Sequence, residues 1–147
     1  MSTLAGEIRR FMNKEMQNLL IKKATEARAR SYAPYSDFSV GAALLCADGS
    51  IYTGANIENS SFTPTICAER VAFFSAIHDG HREFNAIAIV GGKSGMDADK
   101  HCPPCGVCRQ VMSEFCKGDF QIILGSEEES FILTLDDLMP HRFSLNK

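Results

Sequence analysis

The stretch AERVAFFSAIHDGHREFNAIAIVGG, residues 68–92, decides the fold. Its first part, residues 68–79, has the length and composition of a helix, and Gly80 is placed to end it. The segment FNAIAIV, residues 84–90, is a continuous apolar run of strand length, which we expect Gly91 and Gly92 to stop. A helix that leads directly into a buried strand is typical of an α/β domain.

The sequence before this stretch predicts a helical region, a loop and a hairpin. Apolar residues recur at helical spacing from Leu4 to Arg30, which indicates one long or two short amphipathic helices. Residues 31–37 contain Pro34 and are expected to form a loop. Two apolar runs, 38–46 and 50–54, flank the turn signal Ala-Asp-Gly and predict a hairpin.

The sequence after this stretch repeats the alternation of helix and strand. It predicts helix 107–115, strand 120–124, a turn at 127–129, strand 131–135 and a helical turn at 136–138. We therefore predict a three-layer α/β/α fold with a mixed five-stranded sheet. A chain of 147 residues supports one core, so we expect a single domain over 1–147, with an extension at 1–14 of no inferred role.

Composition and charge exclude several kinds of partner. The chain has 15 Lys and Arg against 18 Asp and Glu, a net charge of −3, so it has no surplus of cations to neutralise a nucleic-acid backbone. No stretch approaches the 18 apolar residues of a membrane helix, and the first residues lack the pattern of an export signal. We expect a cytoplasmic protein that binds neither nucleic acid nor membranes.

Three cysteines have the spacing of an open zinc site. Cys105 and Cys108 lie in PCGVC at the start of a predicted helix, and Cys67 directly precedes the helix 68–79. Free backbone N–H groups and the helix dipole favour thiolates at such helix starts. Three protein ligands leave the fourth tetrahedral position of Zn²⁺ to water, which is the arrangement of a catalytic site.

Glu69 follows Cys67 by two residues, so its carboxyl group can reach the open position without binding the metal. A zinc-bound water of lowered pKa needs a partner that takes its proton and delivers it elsewhere, and we assign that role to Glu69. Arg70 and Arg109 also follow the cysteine motifs. We expect both to donate hydrogen bonds to the sulfurs and offset their negative charge.

A closed structural zinc site is the alternative reading of the same cysteines. Cys102 or His101 can complete a four-ligand set with the other three. Pro103 and Pro104 favour an extended chain, however, and we expect Cys102 to point away from the metal. The remaining thiols and imidazoles receive no chemical role: we read Cys46 and Cys116 as small buried hydrophobes, and His78, His81 and His141 as surface or capping residues.

The helix 68–79 is apolar around nearly its whole circumference. Val71, Phe73, Phe74 and Ile77 cannot all be covered by one face of a sheet. This excess predicts packing between subunits.

The motifs CAER (67–70) and PCGVCRQ (104–110) resemble the signature of the zinc nucleoside deaminases. The segments YAPYS (32–36), FSVGAAL (38–44), GANIEN (54–59) and LMPHRF (138–143) extend the likeness to the small, homotetrameric cytidine deaminases over residues 15–143. This resemblance implies one Zn²⁺ per subunit and hydrolytic deamination of cytidine and 2′-deoxycytidine in pyrimidine salvage.

The resemblance also implies roles for individual residues. Cys67, Cys105 and Cys108 match the zinc ligands, and Glu69 matches the proton shuttle. The remaining matches are substrate contacts: Asn56 and Glu58 with the ribose 3′-hydroxyl, Phe38 and Ala68 beside the nucleoside, and Phe143 reaching into a neighbouring subunit's pocket. The implied partners are a free pyrimidine nucleoside and further copies of the chain, in a tetramer with active sites at subunit interfaces.

Two features depart from the common family pattern: Pro64 lies shortly before the first ligand, and Lys100 to Pro103 precede the second motif. Both leave the breadth of substrates open. Deamination of a cytosine nucleoside antibiotic such as blasticidin S is the alternative activity, because the deaminases of that antibiotic share the CAE and PCGxCRQ motifs. A structural zinc module is the alternative that is not an enzyme.

Overall fold

A computed structural model describes residues 13–145, and a five-stranded sheet lies at its centre. The elements in chain order are α1 (Lys14–Ala27), a 3₁₀ turn (Arg28–Arg30), β1 (Phe38–Cys46), β2 (Ile51–Ala55), α2 (Ala68–His78), β3 (Phe84–Lys93), α3 (Gly106–Phe115), β4 (Gln121–Gly125), β5 (Ser130–Thr134) and α4 (Leu135–Leu138). The strand order is β2-β1-β3-β4-β5. The β3 and β4 strands run parallel, and the other neighbours are antiparallel, so the predicted mixed sheet is confirmed.

Alternate residues of the central strands supply two separate cores. On one face Leu44 and Ile87 pack with α2 and α3 around Phe73 and Met112. On the opposite face the neighbouring strand residues pack against α1; they are Ala43, Leu45, Ala86, Ala88 and Val90. Because side chains alternate along a strand, the apolar runs cover both faces and give the predicted three layers.

The helix α1 covers the second part of the predicted helical region. The helix α1 begins at Lys14, where Asn13 accepts a hydrogen bond from the backbone of Met16 and caps it. The predicted helical residues 4–12 lie outside the described residues. Among residues 13–145, no helix is both long and apolar enough to cross a membrane.

The prediction that Gly91 and Gly92 stop the third strand is wrong. The β3 strand continues to Lys93, and both glycines pair with the first residues of β1. A Cβ atom on Gly91 would lie 2.6 Å from the sulfur of Cys102, and one on Gly92 would lie 2.8 Å from the carbonyl oxygen of Asp97. The glycines therefore allow other segments to approach the strand closely.

Candidate active site and metal centre

Two helices place their amino termini at one point and bring three cysteines together. Cys67 is the N-cap residue of α2 and Cys105 is the N-cap residue of α3, while Cys108 lies in the first turn of α3. The three sulfur atoms lie within 4.8 Å of one another. The structure therefore assembles the predicted trio, although the chain separates Cys67 from the other two.

The trio suits zinc. Tetrahedral zinc with sulfur ligands at about 2.3 Å holds neighbouring sulfurs about 3.8 Å apart. The sulfurs of Cys67 and Cys105 are 3.7 Å apart. A hydrogen bond from the Cys108 thiol, with help from Arg70, lowers the pKa of Cys67 to about 5. The lowered pKa favours the thiolate at Cys67, and the thiolate is the form of cysteine that zinc binds.

Arg70 and Arg109 have different partners. Arg70 Nη2 donates a hydrogen bond of 3.5 Å to the sulfur of Cys67, as expected. Arg109 instead donates to the carbonyl oxygens of Pro104 and Leu138, at 2.8 and 2.7 Å. The expected bond from Arg109 to a ligand sulfur is therefore not formed. Its guanidinium ties the loop before α3 to the end of α4, because the planar fork can reach two carbonyl groups at once.

Glu69 lies on the first turn of α2 and is only 4% exposed. Burial, together with the neighbouring charge of Cys67, raises the pKa of its carboxyl group to about 7, although hydrogen bonds with its own backbone and with Cys108 oppose the shift. A buried carboxyl group beside the cysteine trio is placed to exchange a proton there.

Neither of the extra ligands required for a closed site joins the trio. The cysteine cluster within residues 13–145 comprises Cys67, Cys105 and Cys108 alone. Cys102 packs against the core next to Gly91, and His101 stacks its ring on Phe131 with centroids 5.6 Å apart. The geometry therefore favours an open site over a structural knuckle.

Asn56 holds the first strand in place beside the site. Its side-chain oxygen accepts hydrogen bonds from the Ser31 hydroxyl and the Val40 backbone, at 2.6 and 2.9 Å. Its amide nitrogen donates to the carbonyl oxygen of Phe38 at 2.9 Å, which leaves one N–H for a ligand. Phe38 is half-buried at the start of β1.

Glu58 borders a cavity of about 430 Å³. Its carboxylate accepts hydrogen bonds from the backbone of Tyr35 and from both the backbone and the hydroxyl of Ser36. The hydroxyl bond is the main reason why its pKa lies below the usual range. The cavity is large enough for a nucleoside-sized ligand, and its rim is apolar through Tyr35 and Phe62.

The other two predicted substrate contacts, Ala68 and Phe143, differ in solvent exposure. Ala68 is fully buried between Cys67 and Glu69, whereas Phe143 is 69% exposed. Phe74 on α2 is also 45% exposed. Two large exposed aromatic side chains on one chain agree with the predicted contacts between subunits, which stay a prediction.

Several residues near the site received no individual role from the sequence. Tyr35, Ser36, Phe62 and Thr65 line the cavity with Glu58. The backbone of Phe62 has φ of 61°, a conformation that a bulky side chain rarely adopts. Tyr35 and Ser36 lie in the YAPYS segment, whereas Phe62 and Thr65 lie in the loop before Cys67, and the sequence does not show that these two loops meet.

Comparisons with known proteins agree with this geometry. The family model for the cytidine and deoxycytidylate deaminase zinc-binding region matches residues 14–124. The chain is 48% identical to a cytidine deaminase of Sporosarcina psychrophila, over 85% of this chain and 89% of that protein. It is 46% identical to a cytidine deaminase of Halalkalibacterium halodurans, over 87% of this chain and 94% of that protein.

A solved structure shares the fold over nearly the whole described chain. The crystal structure of cytidine deaminase from Burkholderia pseudomallei superposes with a TM-score of 0.78 at 42% identity, covering 90% of this chain and all of the other. Because the family model matches most of the chain and the relatives exceed 40% identity, the chain belongs to the cytidine and deoxycytidylate deaminase family.

Proposed function

We propose that this protein is a zinc-dependent cytidine deaminase, which converts cytidine and 2′-deoxycytidine to the corresponding uridines and releases ammonia. The observation that carries the proposal is the buried Glu69 carboxyl group beside an open trio of cysteines. The relatives named above are themselves cytidine deaminases, which favours this substrate over blasticidin S. Salvage of pyrimidine nucleosides is the role that this reaction serves.

Cys67, Cys105 and Cys108 hold the zinc ion in this proposal, and Zn²⁺ supplies Lewis acidity that lowers the pKa of a bound water molecule. Glu69 takes a proton from the attacking water and delivers it to N3 of the pyrimidine, so that the ring can accept the oxygen at C4. Glu69 next transfers the second proton of that water to the exocyclic nitrogen. The bond between C4 and nitrogen then breaks, ammonia leaves, and the 4-keto product remains.

The residues at the start of β1 and after β2 recognise the sugar. The free N–H of Asn56 and the carboxylate of Glu58 contact the ribose 3′-hydroxyl. Phe38 and Ala68 lie beside the nucleoside. A carboxylate near the 3′ position also repels a 3′-phosphodiester, which favours free nucleosides over nucleic acid.

The Arg70 guanidinium compensates the charge of the thiolates. Three thiolates and Zn²⁺ carry a formal charge of −1, which opposes ionisation of the bound water. The hydrogen bond from Arg70 to Cys67 withdraws part of that charge. Arg109 supports the site indirectly, through the two carbonyl groups that it binds.

The complete enzyme in this proposal is a cytoplasmic homotetramer with active sites at subunit interfaces. Phe143 and the outer face of α2, where Phe74 is exposed, provide apolar surface for the contacts. Phe143 stacks on the pyrimidine in a neighbouring subunit's pocket, since an aromatic ring suits that position and residues 13–145 leave the side chain 69% exposed.

Loss of the cytidine absorbance band with catalytic amounts of protein tests the proposal. Purified enzyme is assayed with cytidine, 2′-deoxycytidine and blasticidin S, and its zinc content is measured on the same sample. We expect about one zinc per chain and rapid turnover of both nucleosides. Preference for blasticidin S would establish the antibiotic activity instead, and zinc without turnover of any of the three would indicate a structural module.

A further inference from the structure

A second group of metal-ligating side chains lies at the far end of the hairpin. The ligand atoms of Cys46, Asp48 and His81 lie within 4.8 Å of one another. Cys46 is the last residue of β1, Asp48 lies in the turn that follows, and His81 belongs to the loop between α2 and β3. Two segments of the chain, the β1–β2 turn and the loop after α2, therefore meet at this point.

Backbone hydrogen bonds hold the two segments together without using the ligand atoms that face each other. The amide of Ala47 donates to the carbonyl oxygen of Glu83 at 2.9 Å, and the amide of His81 donates to the carbonyl oxygen of Ala76 at 3.0 Å. One carboxylate oxygen of Asp48 accepts a bond of 2.9 Å from the Ser50 amide, and the other faces His81. The cluster is therefore already assembled in the folded chain.

The facing groups lack conventional partners. Cys46 is fully buried, and its thiol makes no hydrogen bond with any of residues 13–145. The Nδ1 atom of His81 lies 3.7 Å from the Asp48 carboxylate, which is too long for a hydrogen bond. The edge of the His81 ring contacts Tyr52, with centroids 5.2 Å apart, and this contact orients the imidazole. The buried thiol, the imidazole nitrogen and the carboxylate oxygen thus lie close together, and no hydrogen bond joins them.

We propose that Cys46, Asp48 and His81 form a second metal site, which binds Zn²⁺ or another divalent cation that accepts mixed sulfur, nitrogen and oxygen ligands. Binding exchanges the thiol proton of Cys46 for the metal, and that proton passes to solvent. The thiolate and carboxylate then neutralise the two positive charges of the ion. Water completes the tetrahedral set, since Asp48 is largely exposed.

The site acts on stability rather than on the reaction. Cys46 and Phe38 occupy opposite ends of β1, which places the cluster about 26 Å from the substrate end of the strand. A bound ion would connect the β1–β2 turn to the loop that leaves α2. Because it has one thiolate and not three, the site binds metal more weakly than the Cys67 cluster and fills only when metal is in excess.

Cobalt titration of the zinc-loaded enzyme tests this proposal. Co²⁺ bound to a thiolate gives a charge-transfer absorption band, and zinc released into solution is measured in parallel. We expect a second metal equivalent with the band of a single thiolate, no release of the first zinc and unchanged deamination of cytidine. A free metal concentration about 100 times the dissociation constant of the site should raise Tm by about 5–10 °C.

Matched variants locate the ion. Cys46→Ser and His81→Gln should each lose the band and the rise in Tm, and Asp48→Asn, an exposed substitution that leaves the core intact, should weaken binding at least tenfold. Cys116→Ser removes another free thiol, which is not a member of this cluster, and should behave as the wild type. Retention of the band in Cys46→Ser, saturation at one metal per chain, or release of the first zinc in step with cobalt uptake would overturn the proposal.

Discussion

Gly54→Ala tests how the sheet positions the catalytic helix. Gly54 lies in β2 directly beneath the first turn of α2. A Cβ atom there would lie 2.4 Å from the carbonyl oxygen of Ala68 and 2.7 Å from the amide of Ala72. Ordinary contact begins at 3.4 Å, and both atoms belong to the backbone, so the helix has to move by about 1 Å.

That movement shifts Cys67 and Glu69 relative to the two cysteines on α3. Overpacking of this kind costs about 1–3 kcal/mol of the free energy of unfolding. A displacement of about 1 Å in a catalytic group lowers the rate about 100-fold, equivalent to about 2.7 kcal/mol of activation free energy. We therefore expect Gly54→Ala to lower kcat/KM for cytidine by about two orders of magnitude and to weaken zinc retention.

The assay compares Gly54→Ala with the wild type under conditions in which both are folded. Urea unfolding followed by circular dichroism gives the stability, and kcat/KM and zinc content are measured under conditions in which the variant is fully folded. Gly118→Ala is the matched control: the three atoms nearest to its added methyl group all belong to the exposed Asp136 side chain, which can move aside with its partner Arg142. A Gly54→Ala enzyme with wild-type kcat/KM per folded molecule would refute the reasoning.

Two further substitutions and one truncation test separate parts of the site. Glu58→Gln removes a charged hydrogen-bond acceptor worth about 1.5–3 kcal/mol, so KM for cytidine should rise about 10- to 100-fold while zinc content stays constant; an unchanged KM would exclude sugar contact. Arg109→Ala leaves two carbonyl oxygens without their donor and should lower the free energy of unfolding by about 1–3 kcal/mol, and equal urea midpoints for variant and wild type would contradict this. Truncation after Pro140 removes Phe143 and should raise KM with little loss of stability, since the ring is 69% exposed; a wild-type KM would contradict a shared site.

The elements that depend on local pattern could be predicted from the sequence. The bounds of α2 and α3 agree with the expected helices to within one residue, because their apolar runs end at clear signals, and the three cysteines stand at the predicted helix starts. The strand β3 was misjudged at Gly91, since a local pattern does not show that Cys102 packs against that position. A glycine required for close packing looks the same in sequence as one that ends a strand.

The remaining differences depend on contacts between distant segments. Arg109 was expected to bind a cysteine sulfur, but Leu138, 29 residues away, supplies its acceptor. His81 and Cys46 were each dismissed singly, and only the folded chain brings them to Asp48. The cavity beside Glu58 likewise forms from loops whose meeting no spacing rule predicts.

Substitution of Glu69 by Gln tests the central claim most directly. Glutamine keeps the shape of the buried side chain and leaves the three sulfurs in place, but it cannot carry the proton. The measurement is kcat for cytidine, together with zinc content, for Glu69→Gln and the wild type. We expect one zinc per chain. We also expect kcat to fall by about 10²- to 10⁴-fold, which is typical of lost proton transfer. Near-normal turnover in a zinc-loaded Glu69→Gln enzyme would contradict the assignment of Glu69 as the proton carrier of a deaminase.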